Sequence, residues 1–166
     1  MKRRHLTPPI LAALRDTPVV YLQGPRQSGK STLVQALGDD GHDAEYFTLD
    51  EAATLAAAQS DPDGFIGGLP ERVILDEVQR APDLFRAIKR SVDAKRKPGR
   101  FLLTGSAQAL VLPKVSESLA GRMEVLTLWP FSQGENEGRR EGFVDACFAR
   151  EFKPGKFRDT AWPISG

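Results

Sequence analysis

The feature that most narrows the fold is a junction: VVYLQ, Val19 to Gln23, runs directly into GPRQSGKST, Gly24 to Thr32. A continuous apolar run of this kind marks a strand buried on both faces. The loop fits G-x-x-x-x-G-K-[ST], whose backbone N–H groups turn inward around phosphate oxygens while a lysine adds a full positive charge. Leu33, Val34 and Leu37 come next at helical spacing, and the pattern stops near Gly38. Strand, glycine-rich loop and helix, in that order, are the context the loop requires. Gly24, Gln27, Ser28, Gly29, Lys30, Ser31 and Thr32 are therefore the candidate residues for holding a nucleotide.

The alternation continues along the chain. Thr7 and Pro8 read as the N-cap and first-turn proline of a short helix carrying Ile10, Leu11 and Leu14, ended by Asp16-Thr17-Pro18. YFTL (Tyr46 to Leu49) reads as a second strand, with Asp50 capping an alanine-rich helix from Glu51 to about Gln59. Asp61-Pro62 opens a short turn with Phe65 and Ile66. RVILDE is a third strand, and PDLFRAIKRSVDAKRK a helix whose Leu84, Phe85, Ile88 and Val92 form one stripe. FLLT and MEVLTL (Met123 to Leu128) complete five strands. Strands alternating with helices predict an α/β fold, a mostly parallel sheet covered on both faces.

At 166 residues, 40% of them hydrophobic, the chain has room for one domain with a real core and a tail. Lys and Arg number 23 against 22 Asp and Glu, so overall charge makes no case for a nucleic-acid protein and any basic surface is local. Cys147, His5 and His42 form no ligand cluster and read as structural or surface residues. The apolar run after MKRRH is too short for a secretory segment, and no stretch approaches the roughly twenty apolar residues of a membrane helix. A cytoplasmic protein without a membrane partner is expected.

A phosphate loop alone would bind; turnover needs a metal site and a group to orient water. VILDE supplies candidates, because Asp76 and Glu77 emerge at the carboxyl end of a buried strand, where ligands sit in open parallel sheets. Asp76 would share Mg²⁺ with the hydroxyl of Ser31, and Glu77 would polarise the attacking water. Acidic pairs also simply end strands. FLLTGS repeats the design with hydroxyl residues, Thr104 and Ser106, beside Gly105. If its strand adjoins the loop-bearing one, Thr104 reaches the γ-phosphate; otherwise Thr-Gly-Ser is ordinary turn chemistry.

GPRQSGKST, VILDEVQRAP, FLLTGS and SLAGRMEVLTLWPFSQGE, in this order, resemble the bacterial and archaeal AAA-type ATPases that join a P-loop core to a C-terminal domain of unknown function. The match runs from about Arg4 to Glu135. The resemblance implies a three-layer P-loop sandwich with a parallel sheet ordered 5-1-4-3-2, the Thr104 strand lying between those of the phosphate loop and Asp76. It assigns Lys30 to the β and γ phosphates of ATP, Ser31 and Asp76 to Mg²⁺, Glu77 to the water and Thr104 to sensing. It also implies that Arg122, just before the fifth strand, completes a neighbouring subunit's site, where a guanidinium would stabilise charge on the transferred phosphoryl group; a cation near a helix C-terminus is the plainer reading. Arg26 matches the family without a physical role attached.

The cations between Arg86 and Arg100 could grip a nucleic-acid backbone, but no aromatic residues interleave after Phe85 to stack bases, which favours a solvated helix face. Guanine has no visible recognition motif, since Asn136 is the one asparagine in the chain. Mg²⁺-dependent ATP hydrolysis is the reading the residues favour, against a nucleotide-gated interaction module with little turnover or a small-molecule kinase. Ser132-Gln133-Gly134-Glu135 has the pattern of a capping box, yet Gly134, Gly138 and Gly142 interrupt the helix it would open, and Pro154-Gly155 and Pro163 break the rest. The expected division is an ATPase core over 1–131 and an irregular tail over 132–166, the remnant of a lid, with one short helix around Phe143 to Arg150. A core without a lid is expected to bind ATP weakly and turn it over slowly.

Overall fold

The structure, a computed structural model, describes residues 4–106 and 119–138. Five strands, β1 (Val19–Gly24), β2 (Glu45–Thr48), β3 (Val73–Asp76), β4 (Phe101–Ser106) and β5 (Met123–Thr127), make one parallel sheet in the order β2-β3-β4-β1-β5. Read from the other edge this is 5-1-4-3-2, the order the resemblance implied. Successive strand residues face opposite ways, so Val19, Tyr21, Val73, Leu75, Phe101 and Leu103 form one apolar layer and Val20, Leu22, Ile74 and Leu102 another.

Helices cover both layers. On the second lie α1 (Thr7–Asp16) and α2 (Lys30–Ala36), which bring Ile10, Leu14, Leu33 and Val34 to the sheet. On the first lie α3 (Ala52–Ser60), α4 (Pro62–Gly68) and α5 (Leu84–Ala94), contributing Ala58, Ile66, Leu84, Phe85, Ile88 and Val92. Burial on two faces explains why the central strands read as continuous apolar runs. At the sheet edge, β5 is half-buried, and Val125, Trp129 and Phe131 are exposed there and just beyond.

Several local details differ from the sequence reading. Thr7 is the first helical residue rather than the cap: Leu6 occupies the cap with no side-chain bond, and Thr7 donates its own N–H to the Arg4 carbonyl at 3.2 Å. Glu51, not Asp50, precedes α3, because the Asp50 carboxylate is drawn to Arg80 at 2.7 Å. Asp61 does cap α4, accepting the Gly64 N–H at 2.9 Å. The capping box at Ser132 and Glu135 forms and opens a short helix, α6 (Gln133–Glu137), which ends at Gly138 in the left-handed region. Chain expected to be irregular thus begins with an ordered turn, since the cap satisfies two donors before the glycines interrupt. The helix expected around Phe143 to Arg150 lies outside the described residues.

On α5 and its exit, much of the positive charge is engaged within the fold. Arg90 forms a two-pronged pair with Asp63, Lys97 pairs with Glu71, and Arg96 donates to the Gly121 carbonyl at 3.0 Å. That geometry fits a solvated helix face knitted to its neighbours better than a backbone-gripping strip. Among the described residues, no helix is long and apolar enough to cross a membrane.

Candidate functional site

The carboxyl ends of β1, β4 and β3 lie side by side, because Gly24 is level with Ser106 and Leu75 with Leu103. A cavity of about 640 Å³ opens there, walled by Gly29, Lys30, Ser31 and Thr32 on one side and by Glu77, Gln79 and Ser106 on the other. Its volume is in the range of small-molecule sites, about 300–1,000 Å³.

Local chemistry shapes the phosphate loop. Gln27 and Gly29 hold positive φ of 64° and 87°, and alternation of this kind turns successive N–H groups to one side, making an anion-binding nest. Gly24 is required for space: a Cβ there would stand 2.3 Å from the Leu128 carbonyl oxygen. Lys30 is buried and lies back across the loop, its ammonium donating to the carbonyls of Gly24 at 3.1 Å and Pro25 at 3.0 Å. Ser28 is also buried, whereas Gln27 and Arg26 are exposed on the cavity rim.

Asp76 ends β3 almost wholly buried, and both its oxygens accept hydrogen bonds. The Tyr46 hydroxyl donates to one at 2.7 Å, and the Thr104 hydroxyl donates to the other. Burial and then the bond to Asp76 push the Tyr46 hydroxyl up to about 12. Thr104 also accepts the Glu77 N–H at 3.2 Å. Its hydroxyl, fully buried, is thus committed to the two acidic residues, and of the two β4 hydroxyls it is that of Ser106 that lies on the cavity wall. Glu77 leaves the strand at φ 58°, a left-handed conformation costing about 1–3 kcal/mol in a non-glycine residue. Its carboxylate accepts from the Gln79 amide. Gly105 leaves room for this arrangement, since a Cβ there would meet the Tyr21 hydroxyl at 2.3 Å and the Gln79 Oε1 at 2.7 Å.

The donor set fits a nucleotide with Mg²⁺. Among the described residues no three His, Cys, Asp or Glu side chains converge as a metal cage, but Mg²⁺ beside phosphates needs only one or two protein oxygens and its own waters. Ser31 on the wall offers a hydroxyl oxygen, and Asp76, next to the wall residue Glu77, keeps spare carboxylate lone pairs.

Arg122 stands apart. Its carbonyl accepts the Val19 N–H at 3.3 Å, level with the start of β1, so along the sheet it is about 15–20 Å from the phosphate loop at 3.3 Å per residue. Its guanidinium pairs with Asp93 on α5 and donates to the Ala120 carbonyl at 2.9 Å. The structure therefore gathers the loop residues with Asp76, Glu77 and Thr104, and leaves Arg122 outside the same chain's cavity.

Four participants escaped sequence reasoning. Tyr46, Arg4 and Glu135 act through partners distant in sequence, Gln79 through Glu77 two positions before it; the capping box pointed to Glu135 only as a helix cap, not as the partner of Arg4. Arg4 is buried, and its guanidinium reaches the Ser28 carbonyl at 2.9 Å, Glu135 at 3.1 Å and the Trp129 carbonyl at 2.5 Å. Burial pushes the Glu135 carboxyl up, but the N–H groups of His5 and Ser132 together with Arg4 outweigh it and hold the group below the usual carboxylate range.

Comparison with known proteins agrees with this fold. The chain belongs to the AAA domain family, whose match covers residues 16–137. It is 38% identical over 128 residues to the uncharacterized proteins Mb2031c of Mycobacterium bovis and Rv2008c of Mycobacterium tuberculosis, a match that takes in 77% of this chain and 29% of each relative. The chain thus spans under a third of the length of those relatives. In fold it resembles the Walker-type ATPase PABY2304 of Pyrococcus abyssi, with a TM-score of 0.53 at 14% identity over 81% of this chain and 55% of that one. A P-loop ATPase-like core, built for nucleotide, is what fold, site and family define.

Proposed function

We propose that this chain binds ATP with Mg²⁺ and hydrolyses it, and that the reading rests on one observation: a phosphate-type loop with a buried lysine faces Glu77 across a single cavity, with Asp76 the buried residue just before it. The N–H groups of the loop from Gly24 through Thr32 cradle the phosphates, and Lys30 leaves its two carbonyls to pair with the β and γ oxygens. Ser31 and Asp76 hold Mg²⁺, which when bound neutralises charge on those oxygens. Glu77 orients and deprotonates the attacking water. Thr104 serves catalysis through the two acidic residues it fastens rather than by touching phosphate. Arg122, facing away from its own cavity, serves the site of an adjoining subunit in a homo-oligomer.

The Gln79 amide on the Glu77 carboxylate favours a second reading, a nucleotide-gated module whose water-activating group is held in check until a partner binds. Calorimetric titration with Mg²⁺-ATP and phosphate release, on wild type and Lys30→Ala, test the first reading. Weak but measurable binding with slow turnover in wild type, and neither in the variant, are expected. Undiminished ATP affinity in Lys30→Ala would remove the loop from the mechanism, and binding without phosphate release would leave the gated module.

A further inference from the structure

The phosphate loop has an outer side, and Arg4 is bound to it. Ser28 offers its carbonyl to Arg4 Nη1 at 2.9 Å, while the next residue, Gly29, lines the cavity. A peptide unit is planar and trans, so its C=O and N–H point in opposite directions. Holding the Ser28 oxygen outward therefore aims the Gly29 N–H inward. Nothing in the local chain enforces that choice, because glycine tolerates both orientations of the peptide plane before it. A flipped plane would place a carbonyl dipole against phosphate oxygens and remove one donor.

Arg4 is held by more than the loop. Its guanidinium donates to Glu135 Oε1 at 3.1 Å and the Trp129 carbonyl at 2.5 Å, and stacks 4.1 Å from the Phe131 ring centroid. Glu135 is secured in turn by the N–H groups of His5 at 2.7 Å and Ser132 at 3.0 Å. The segment after β5 thus touches the loop twice, through Arg4 at Ser28 and through the Leu128 carbonyl packed against Gly24. We infer that Arg4 is a positioning residue for the phosphate loop and Glu135 its anchor, so that the segment following β5 sets how strongly the loop grips a polyphosphate. The inference rests on the ATP-binding reading and names a control on that site.

The test compares wild type, Arg4→Met, Glu135→Gln and the double variant, titrating each with Mg²⁺-ATP and with inorganic tripolyphosphate. Tripolyphosphate has no base, so it reports the cradle alone. A loss of about tenfold or more is expected in Arg4→Met, the same for both ligands, with a smaller loss in Glu135→Gln and no further loss in the double variant, because the two act as a unit. In nucleotide-free protein, the Gly29 amide resonance should shift in both single variants while amides on β2 stay put. Wild-type affinity in a folded Arg4→Met protein, or a loss confined to ATP, would overturn the inference. Should Arg4→Met not fold, the near-isosteric Glu135→Gln decides: an unmoved Gly29 amide with unchanged affinity overturns it. Failure of wild type to bind either ligand would sink the ATP reading, leaving the Gly29 amide to decide the positioning alone.

Discussion

Thr104 and Asp76, on adjacent parallel strands, are joined by a hydrogen bond in which the threonine hydroxyl donates to the carboxylate. The same oxygen accepts the Glu77 N–H at 3.2 Å, so one buried atom sets the direction of both acidic residues. Thr104→Val keeps the shape and removes both bonds. Stability should fall by about 1–3 kcal/mol, the cost of leaving buried polar partners unmade, and turnover should fall with it, whereas Thr104→Ser retains both. Urea unfolding and phosphate release check this, and a Val variant of wild-type stability and rate would show the bonds idle.

Glu77 and Arg122 lie at opposite ends of the strands. Glu77→Gln should slow hydrolysis by about 10²–10⁴, the usual worth of a general base, at unchanged ATP affinity. Arg122→Ala should be slow for a different reason, the loss of charge stabilisation in a neighbour's site. Mixing the two variants should restore part of the rate, since some interfaces then pair an intact arginine with an intact glutamate. A mixture as inactive as its components, with subunits shown to exchange, excludes a shared site.

Among the described residues, the fully buried hydroxyl of Tyr21 has no hydrogen-bond partner. Burial first, then the charge of Glu77, push it up to about 12. In the unfolded chain it ionises near 10, so between about pH 10 and 12 the folded state retains a proton that the unfolded state has lost. The contribution is complete below pH 10 and disappears as pH rises through 12. Tyr21→Phe should leave stability at pH 7 unchanged or higher and flatten the alkaline decline, as measured by denaturation midpoints from pH 8 to 12. An equally steep decline in the variant would place its origin elsewhere, with Tyr46 the next candidate.

Gly24 has no room for a side chain, a Cβ standing 2.3 Å from a backbone oxygen that cannot swing away. Gly24→Ala should cost several kcal/mol, in the class of overpacked core substitutions. Gly67→Ala, where a Cβ meets nothing within 4 Å, is the control. Thermal melting that ranks the two alike would contradict the close approach of the segment after β5.

The strands were legible because each carries a local signature. VVYLQ, VILD and FLLT are short apolar runs bounded by turn residues, and the pleat sorted their side chains into two layers without further instruction. The order of the strands was not local information and came from resemblance alone. Within the site, the loop and the acidic pair could be read because their residues are contiguous. Tyr46 on Asp76 and Arg4 on Glu135 could not, since a polar contact between distant segments leaves no periodicity in either. Thr104 shows a subtler limit: its strand and position were right, but whether a hydroxyl turns toward a cavity or a neighbouring strand depends on the facing residue. Thr7 misled for a related reason: its N–H is taken by the Arg4 carbonyl, which draws it into the first turn and leaves Leu6 at the cap.

The pairing of Arg4 with Glu135 also imposes a schedule on biosynthesis. These partners are 131 positions apart, and a ribosome adding about 5–20 residues per second needs on the order of ten seconds to make the second after the first. Throughout that interval the phosphate loop has been translated but its outer brace is missing. Helix α1 and the loop emerge early, the strands that flank β1 emerge late, and the residue that secures Arg4 emerges after all of them. The Arg4–Glu135 contact closes only after β5 has been made, so the loop acquires its outer brace only once the sheet beside it is complete.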